Sequence, residues 1–217
     1  MLALYIRIIV PVTVLAPVIT GTLKFSHLSK AYRIILAYLL LSAVTNLTTI
    51  LLSISGISNL YIMHWYTIAE FLLLGAFFRE QFAGRAIFRR VILVIMFLFS
   101  AVFTAYPLVF KETGGFDSYA TSLEAILVNL MSIMLLSNSE EKEENAGLWH
   151  NYPSHWFNTG ILLYFSGSMF LFLAFNYLMK APTSIILLVW GIHATLLLAM
   201  YLLFTIGFFK CRKYQII

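Results

Sequence analysis

The sequence predicts an all-α integral membrane protein, a bundle of seven transmembrane helices with no soluble domain. Two observations carry that expectation. Of the 217 residues, 61% are hydrophobic and only 11% charged, whereas a soluble domain carries about 25% charged residues. Mean hydropathy is +0.91, so too little polar surface remains to cover a water-soluble globule, and disorder is excluded because disordered chains are poor in apolar residues. The apolar residues also gather into runs of the right length. A helix needs roughly 20 mainly apolar residues to cross about 30 Å of hydrocarbon, and such runs fall at 2–20, 34–54, 60–78, 91–110, 120–137, 157–179 and 184–208. They leave no room for a second domain, so residues 1–217 read as one bundle. Runs 34–41 and 91–99 are continuously apolar, unlike barrel strands, which alternate with period two over about ten residues.

The first run has no basic stretch before its apolar core and no small-residue cleavage site, so it reads as a retained span rather than a signal peptide. Pro11 and Pro17 each remove a backbone donor and kink it. Orientation follows from the basic residues. Lys24, Lys30, Arg33, Arg79, Arg85, Arg89, Arg90, Lys142, Lys210, Arg212 and Lys213 fall on one side; Arg7, Lys111 and Lys180 fall on the other. That asymmetry predicts an outside N-terminus and a cytoplasmic C-terminus. It also places the acidic residues Glu140, Glu141, Glu143 and Glu144 in the cytoplasm.

Polar and ionisable residues inside spans are costly, which makes each one a candidate. In span 2, Tyr38, Ser42, Thr45, Asn46, Thr49 and Ser53 share one helical face. They read either as bonds to a neighbouring helix or as the wall of a solvated cavity, with Asn46 near mid-depth. In span 3, Glu70 lies close to the centre, where a bare carboxylate is very unfavourable. Tyr66 is one turn before it and within bonding reach; His64 is six residues away, a turn of about 600°, and points elsewhere. Span 5 offers Glu124 near its outer end and Asn129 deeper. Span 6 shows Gly160, Tyr164, Gly167, Ser168 and Leu171 on one face, which suits close helix packing. Span 7 places Trp190 and His193 on one stripe with Leu197 and Tyr201. Arg7, in the outer third of span 1, either snorkels or pairs with Glu70 or Glu124. Arg7, His64, Glu124, Asn176 and Trp190 fall in the outer half, and Asn46, Glu70, Asn129, Ser168 and His193 near the middle. Convergence of these faces would make a pocket opening outward and ending at mid-membrane.

The remaining chemistry is sparse. A metal site needs several convergent ligands, and no HExxH-type spacing occurs; His150 and His155, among Trp149, Tyr152 and Trp156, suit an interfacial loop. No G-x-S-x-G elbow or cysteine with an adjacent base marks a nucleophile, and no cofactor is expected. The solitary Cys211 excludes an internal disulfide and reads as a lipidation site or a free thiol. The net charge of +5 is explained by attraction to anionic headgroups, and no nucleic-acid-binding fold is present.

Segments 59–71, 157–167 and 190–194, which contain His64, Tyr66, Glu70, Asn158, Gly160, Tyr164, Gly167, Trp190 and His193, resemble a group of uncharacterised seven-helix bacterial inner-membrane proteins. The resemblance implies a multi-pass inner-membrane protein and brings no activity. Span 7 lacks the central lysine of microbial rhodopsins, and the spans lack the several histidines of the adiponectin-receptor and ceramidase type.

The expected function is a receptor or sensor component. Its ligand-binding residues would be Asn46, His64, Tyr66, Glu70, Asn129, Trp190 and His193, with Arg7 and Glu124 as charge-pairing candidates. It would bind an unknown small molecule, contact membrane lipids, and signal through a separate cytoplasmic protein docked on residues 140–144 and the basic 3–4 loop. A transporter is the alternative; Ser26-His27 and Ser154-His155 hint at a three-one-three parallel repeat as found in small sugar transporters. An intramembrane enzyme acting on a lipid-like substrate through Glu70 and a histidine is the second alternative.

Overall fold

A computed structural model describes residues 2–110, 118–143, 151–178 and 180–211, with the side chains of Ala3, Arg7, 107–110, 139–143 and Asn176 left aside. Expectations resting on the side chains of Arg7, Lys142, Asn176 and the acidic run 140–144, or on Lys111, His150, Arg212 and Lys213, lie outside what is described. All regular structure in the described residues is helical. Six helices are long and apolar enough to cross a membrane. They are α2 (Lys30–Ile54), α3 (Leu60–Gln81), α4 (Ala86–Phe110), α5 (Ser118–Glu143), α6 (Pro153–Leu173) and α7 (Thr183–Lys210).

The N-terminal run is different. Its helix, α1, is broken into Leu2–Leu4, a π-helical turn Tyr5–Ile9, Val10–Thr13 and Leu15–Leu23. Pro11 and Pro17 explain the break: each withholds the amide that would bond four residues back. Val14 N–H bonds instead to Pro11 O at 3.4 Å and Thr13 Oγ1 donates to Val10 O at 2.5 Å. The single kinked span expected at 2–20 is thus a chain of short helical pieces.

Other boundaries differ for local reasons. Ser29 caps α2, its hydroxyl accepting from Tyr32 N at 3.5 Å, so the helix begins four residues before the apolar run. The run expected at 157–179 ends as a helix at Leu173; one turn, Phe175–Leu178, follows before α7.

Six elements form a ring in which α1 packs on α2, α2 on α3, α3 on α5, α5 on α6, α6 on α7 and α7 back on α1. Helix α4 packs on the outer side of α3, with Phe71 against Phe99 at 4.1 Å between ring centroids. Small residues set the closest approaches, as interhelical packing without a hydrophobic drive requires. A methyl at Gly160 would stand 2.9 Å from the Phe204 ring, and one at Gly207 would stand 3.0 Å from Phe157. Helices α6 and α7 are therefore interlocked in both directions.

One end of the ring gathers Lys24, Lys30, Glu80 and Cys211. Lys24 Nζ donates to the carbonyls of Phe209 and Cys211 at 2.6 and 3.1 Å, closing α1 onto the end of α7 where helix carbonyls lack partners. Lys30 pairs with Glu80 at 2.9 Å. Just inside this basic end the ring is filled by aromatic side chains: Phe157 meets Tyr32, Phe77, Phe204 and Phe208 at 4.9–6.5 Å.

Candidate functional site

Beyond that aromatic plug the interior becomes polar. Helix α3 supplies Glu70, ten residues and therefore about 15 Å along from Leu60. Tyr66, one turn earlier, donates to Glu70 Oε1 at 3.1 Å. From α2 the Tyr38 hydroxyl also faces this carboxyl, and Ser42 lies 3.2 Å from the Tyr201 hydroxyl of α7. Ser42 faces Tyr66 as well, and Asn46 faces Tyr201. The polar stripe of α2 points into the ring over residues 38–45 and becomes exposed by Ser53, so only its inner half serves the interior.

Helix α5 contributes the second acid. Glu124 is 2% exposed and within electrostatic range of Glu70. Neither Glu124 Oε1 nor Asn129 Oδ1, also buried, has a hydrogen-bond partner. Leaving buried polar atoms unpaired costs about 1–3 kcal/mol each and more for a charge. Two buried carboxyls thus lie within electrostatic range of each other, and among the described residues no cation pairs with either acid. The Arg7 pairing lies outside the described atoms.

A second group adjoins the first. His193 of α7 stands between helices: Nδ1 is 3.0 Å from Ser168 Oγ and Nε2 is 3.5 Å from Tyr164 OH, both on α6. Trp190 and Phe172 meet its ring edge-on at 5.4 and 5.7 Å. Trp190 also lines an apolar pocket with Leu171, Phe172, Phe175, Ile186 and Val189. Tyr164 joins the two groups, lying in electrostatic range of Glu70, Glu124 and Tyr201.

The structure therefore brings together Asn46, Tyr66, Glu70, Glu124, Trp190 and His193; Asn129 is buried on α5, with no contact to this cluster shown. His64 stands apart. Its Nε2 lies 3.0 Å from Phe103 O on α4, the carbonyl that residue 107 would engage four positions on. Residue 107 is proline, which has no N–H to give, so the imidazole donates in its place.

Several residues of the cluster were not among the sequence candidates. Tyr38, Tyr164 and Tyr201 fell on the faces read from helical spacing, but nothing in hydropathy marked them as site residues. Asn158 on α6 was quoted above only within the resemblance. It is clamped to Ser132 of α5, with Ser132 Oγ donating to Oδ1 at 2.6 Å and Asn158 Nδ2 donating to Ser132 O at 3.0 Å. Among the described residues no three His, Cys, Asp or Glu side chains converge as metal ligands. Comparison with protein-family models, with curated proteins and with solved structures finds no match.

Proposed function

We propose that the chain is a seven-span inner-membrane receptor or sensor component, with its N-terminus outside and its C-terminus in the cytoplasm. It binds a small, hydrogen-bond-donating ligand in its polar interior and signals through a separate cytoplasmic protein. In this reading the broken α1 is the seventh span, its freed carbonyls being satisfied by neighbouring helices or water. The basic end faces the cytoplasm, as the positive-inside rule expects.

One observation carries the reading: the buried Glu124 carboxyl, with an oxygen lacking any partner, stands near a second buried acid. An intramembrane carboxyl is a functional-site hypothesis by default, and this one needs a donor that the surrounding residues do not provide. A ligand bearing an N–H or an ammonium group meets that need, with the tyrosine rings available for cation–π contact. The aromatic plug favours binding over passage, because it shuts the interior at the basic end while the polar group lies beyond it.

Transport is the second reading, and one observation favours it. With α4 outside the ring, α1–α3 and α5–α7 form two consecutive arcs, the layout of a parallel repeat. The nearest enzymatic arrangement is Ser168 beside His193, at a nucleophile–base distance. Ser168, however, is fully buried and Tyr164 occupies the other imidazole nitrogen, so the pair ties α6 to α7.

The test is thermal melting of the detergent-purified protein with methylammonium and phenethylammonium beside their neutral alcohol counterparts, followed by uptake of the same amines into proteoliposomes. Stabilisation by the amines alone, lost in E124Q and without uptake, supports the receptor. Uptake supports the transporter. The absence of any amine-specific shift overturns the ligand class.

A further inference from the structure

The turn between α3 and α4 carries the opposite anomaly. Basic side chains crowd this end, and four of them are matched from within. Lys24 holds two carbonyls at the end of α7. Lys30 holds Glu80. Arg33 lies over the Phe25 ring at 4.8 Å and Arg85 over Phe88 at 5.8 Å. Arg79 and Arg89 have no hydrogen-bond or ion-pair partner among the described residues. Both are half-buried, and the Nε of each is shielded from solvent with nothing to donate to, as is Nε2 of Gln81.

Arg79 and Arg89 come from the two helix ends that this turn joins. Arg79 and Gln81 are in the last turn of α3, and Arg89 is in the first turn of α4, whose entry is held tight by Arg85 N–H to Phe82 O at 2.9 Å and by Phe82 stacked on Phe88 at 5.2 Å. Arg79 and Arg89 both lie in electrostatic range of Glu80, yet Lys30 already engages that carboxylate. The backbone adds to the imbalance. Helix α4 has no acidic residue in its first turn, and Arg85, Arg89 and Arg90 stand at its positive end, where cations are the unfavourable sign. Everything unpaired here is a donor or a positive charge.

We propose that Arg79 and Arg89 form a site for a phosphate oxyanion, supplied by an anionic lipid headgroup or by free phosphate. Guanidinium groups match phosphate with paired N–H bonds, and the anion relieves the charge at the start of α4. The turn is where headgroups lie if α3 and α4 cross the bilayer. This site is separate from the interior cluster and does not depend on the ligand proposed for it.

The test uses the full-length protein in detergent, titrated with dioctanoyl phosphatidylglycerol, dioctanoyl phosphatidylcholine and inorganic phosphate, and read by melting temperature. Phosphatidylglycerol is expected to raise the midpoint more than phosphatidylcholine does. R79Q/R89Q is expected to bind about tenfold more weakly, the loss of one charge-assisted bond or more. R90Q, on the exposed side of the same helix, is expected to stay within about twofold, as a screened surface charge does. A shift with inorganic phosphate that depends on Arg79 and Arg89 supports the site with free phosphate as occupant; a shift with phosphatidylglycerol alone supports it with a lipid headgroup. An unchanged response in R79Q/R89Q overturns it, since the preference is then diffuse charge. If that variant does not fold, native mass spectrometry of the unmodified protein decides. Selective retention of phosphatidylglycerol supports the site and equal retention of both lipids overturns it.

Discussion

The interior cluster and the basic end are electrostatic opposites. At the interior, the unpaired atoms are acceptors: Glu124 Oε1 and Asn129 Oδ1. At the α3–α4 turn, away from the bundle interior, they are donors: Arg79 Nε, Gln81 Nε2 and Arg89 Nε. Direct pairing between the two sets would quench both, yet the fold holds them apart, with the aromatic plug around Phe157 across the ring near the basic end. Under the two proposals, each region is completed from outside the chain, by chemistry of opposite sign. The difference also separates rigid walls from adjustable contents, since the glycine approaches that build the ring tolerate no added atom, whereas the charged groups are under-coordinated.

Attacking the walls gives the largest expected effect. In G160V the new Cβ lies too close to Phe204, and overpacking of this kind costs about 1–3 kcal/mol, occasionally more. Denaturant melts in detergent should show the largest loss of the series. N158A removes the clamp to Ser132 and is expected to cost about 1–3 kcal/mol by the same measurement.

The contents should respond in the reverse sense. E124Q removes a buried ionisable group and keeps the shape, so stability without ligand is expected to hold or rise by about 1 kcal/mol. A large loss instead would mean that Glu124 is paired in the folded protein, and the contrast between the regions would fail. At the basic end, K30Q breaks an ion pair whose lysine is 77% exposed. Less than about 1 kcal/mol is expected, vanishing at high salt.

A pH-dependent effect concerns Cys211, which is buried and whose thiol donates to Gly207 O at 3.5 Å. Burial pushes the thiol up to about 11 from its ordinary 9.0, with Lys24 opposing. Below pH 9 both folded and unfolded chains keep the proton. Between about 9 and 11 the unfolded chain loses it first, so stability falls with rising pH across that window. Maleimide labelling at neutral pH should be slow in folded protein and fast after unfolding, because the thiolate is the nucleophile.

Much of this was legible beforehand. Run length marked the six long helices, and the i, i+4 spacing of Tyr66 and Glu70 marked their bond. The angular separation of His64 from Glu70 was legible too, although His64 was still counted among the ligand-binding residues. What escaped was whatever depends on neighbours. Hydropathy states no helix order, so nothing in the sequence placed α4 outside the ring or brought Glu124 to Glu70. The role of His64 needed Pro107 on another helix, forty-three residues away in the chain. The proline positions announced the break in α1, but its division into short pieces depends on hydrogen bonds that residue identity does not display.

The closure of α1 onto α7 gives the molecule a direction in time. Chains emerge from the N-terminus, so the first element waits for the last. Until Phe209 and Cys211 arrive to receive Lys24, the ring stands open on one flank and its polar lining faces lipid. A chain cut short before the final turn of α7 is expected to lack this closure of α1 onto α7.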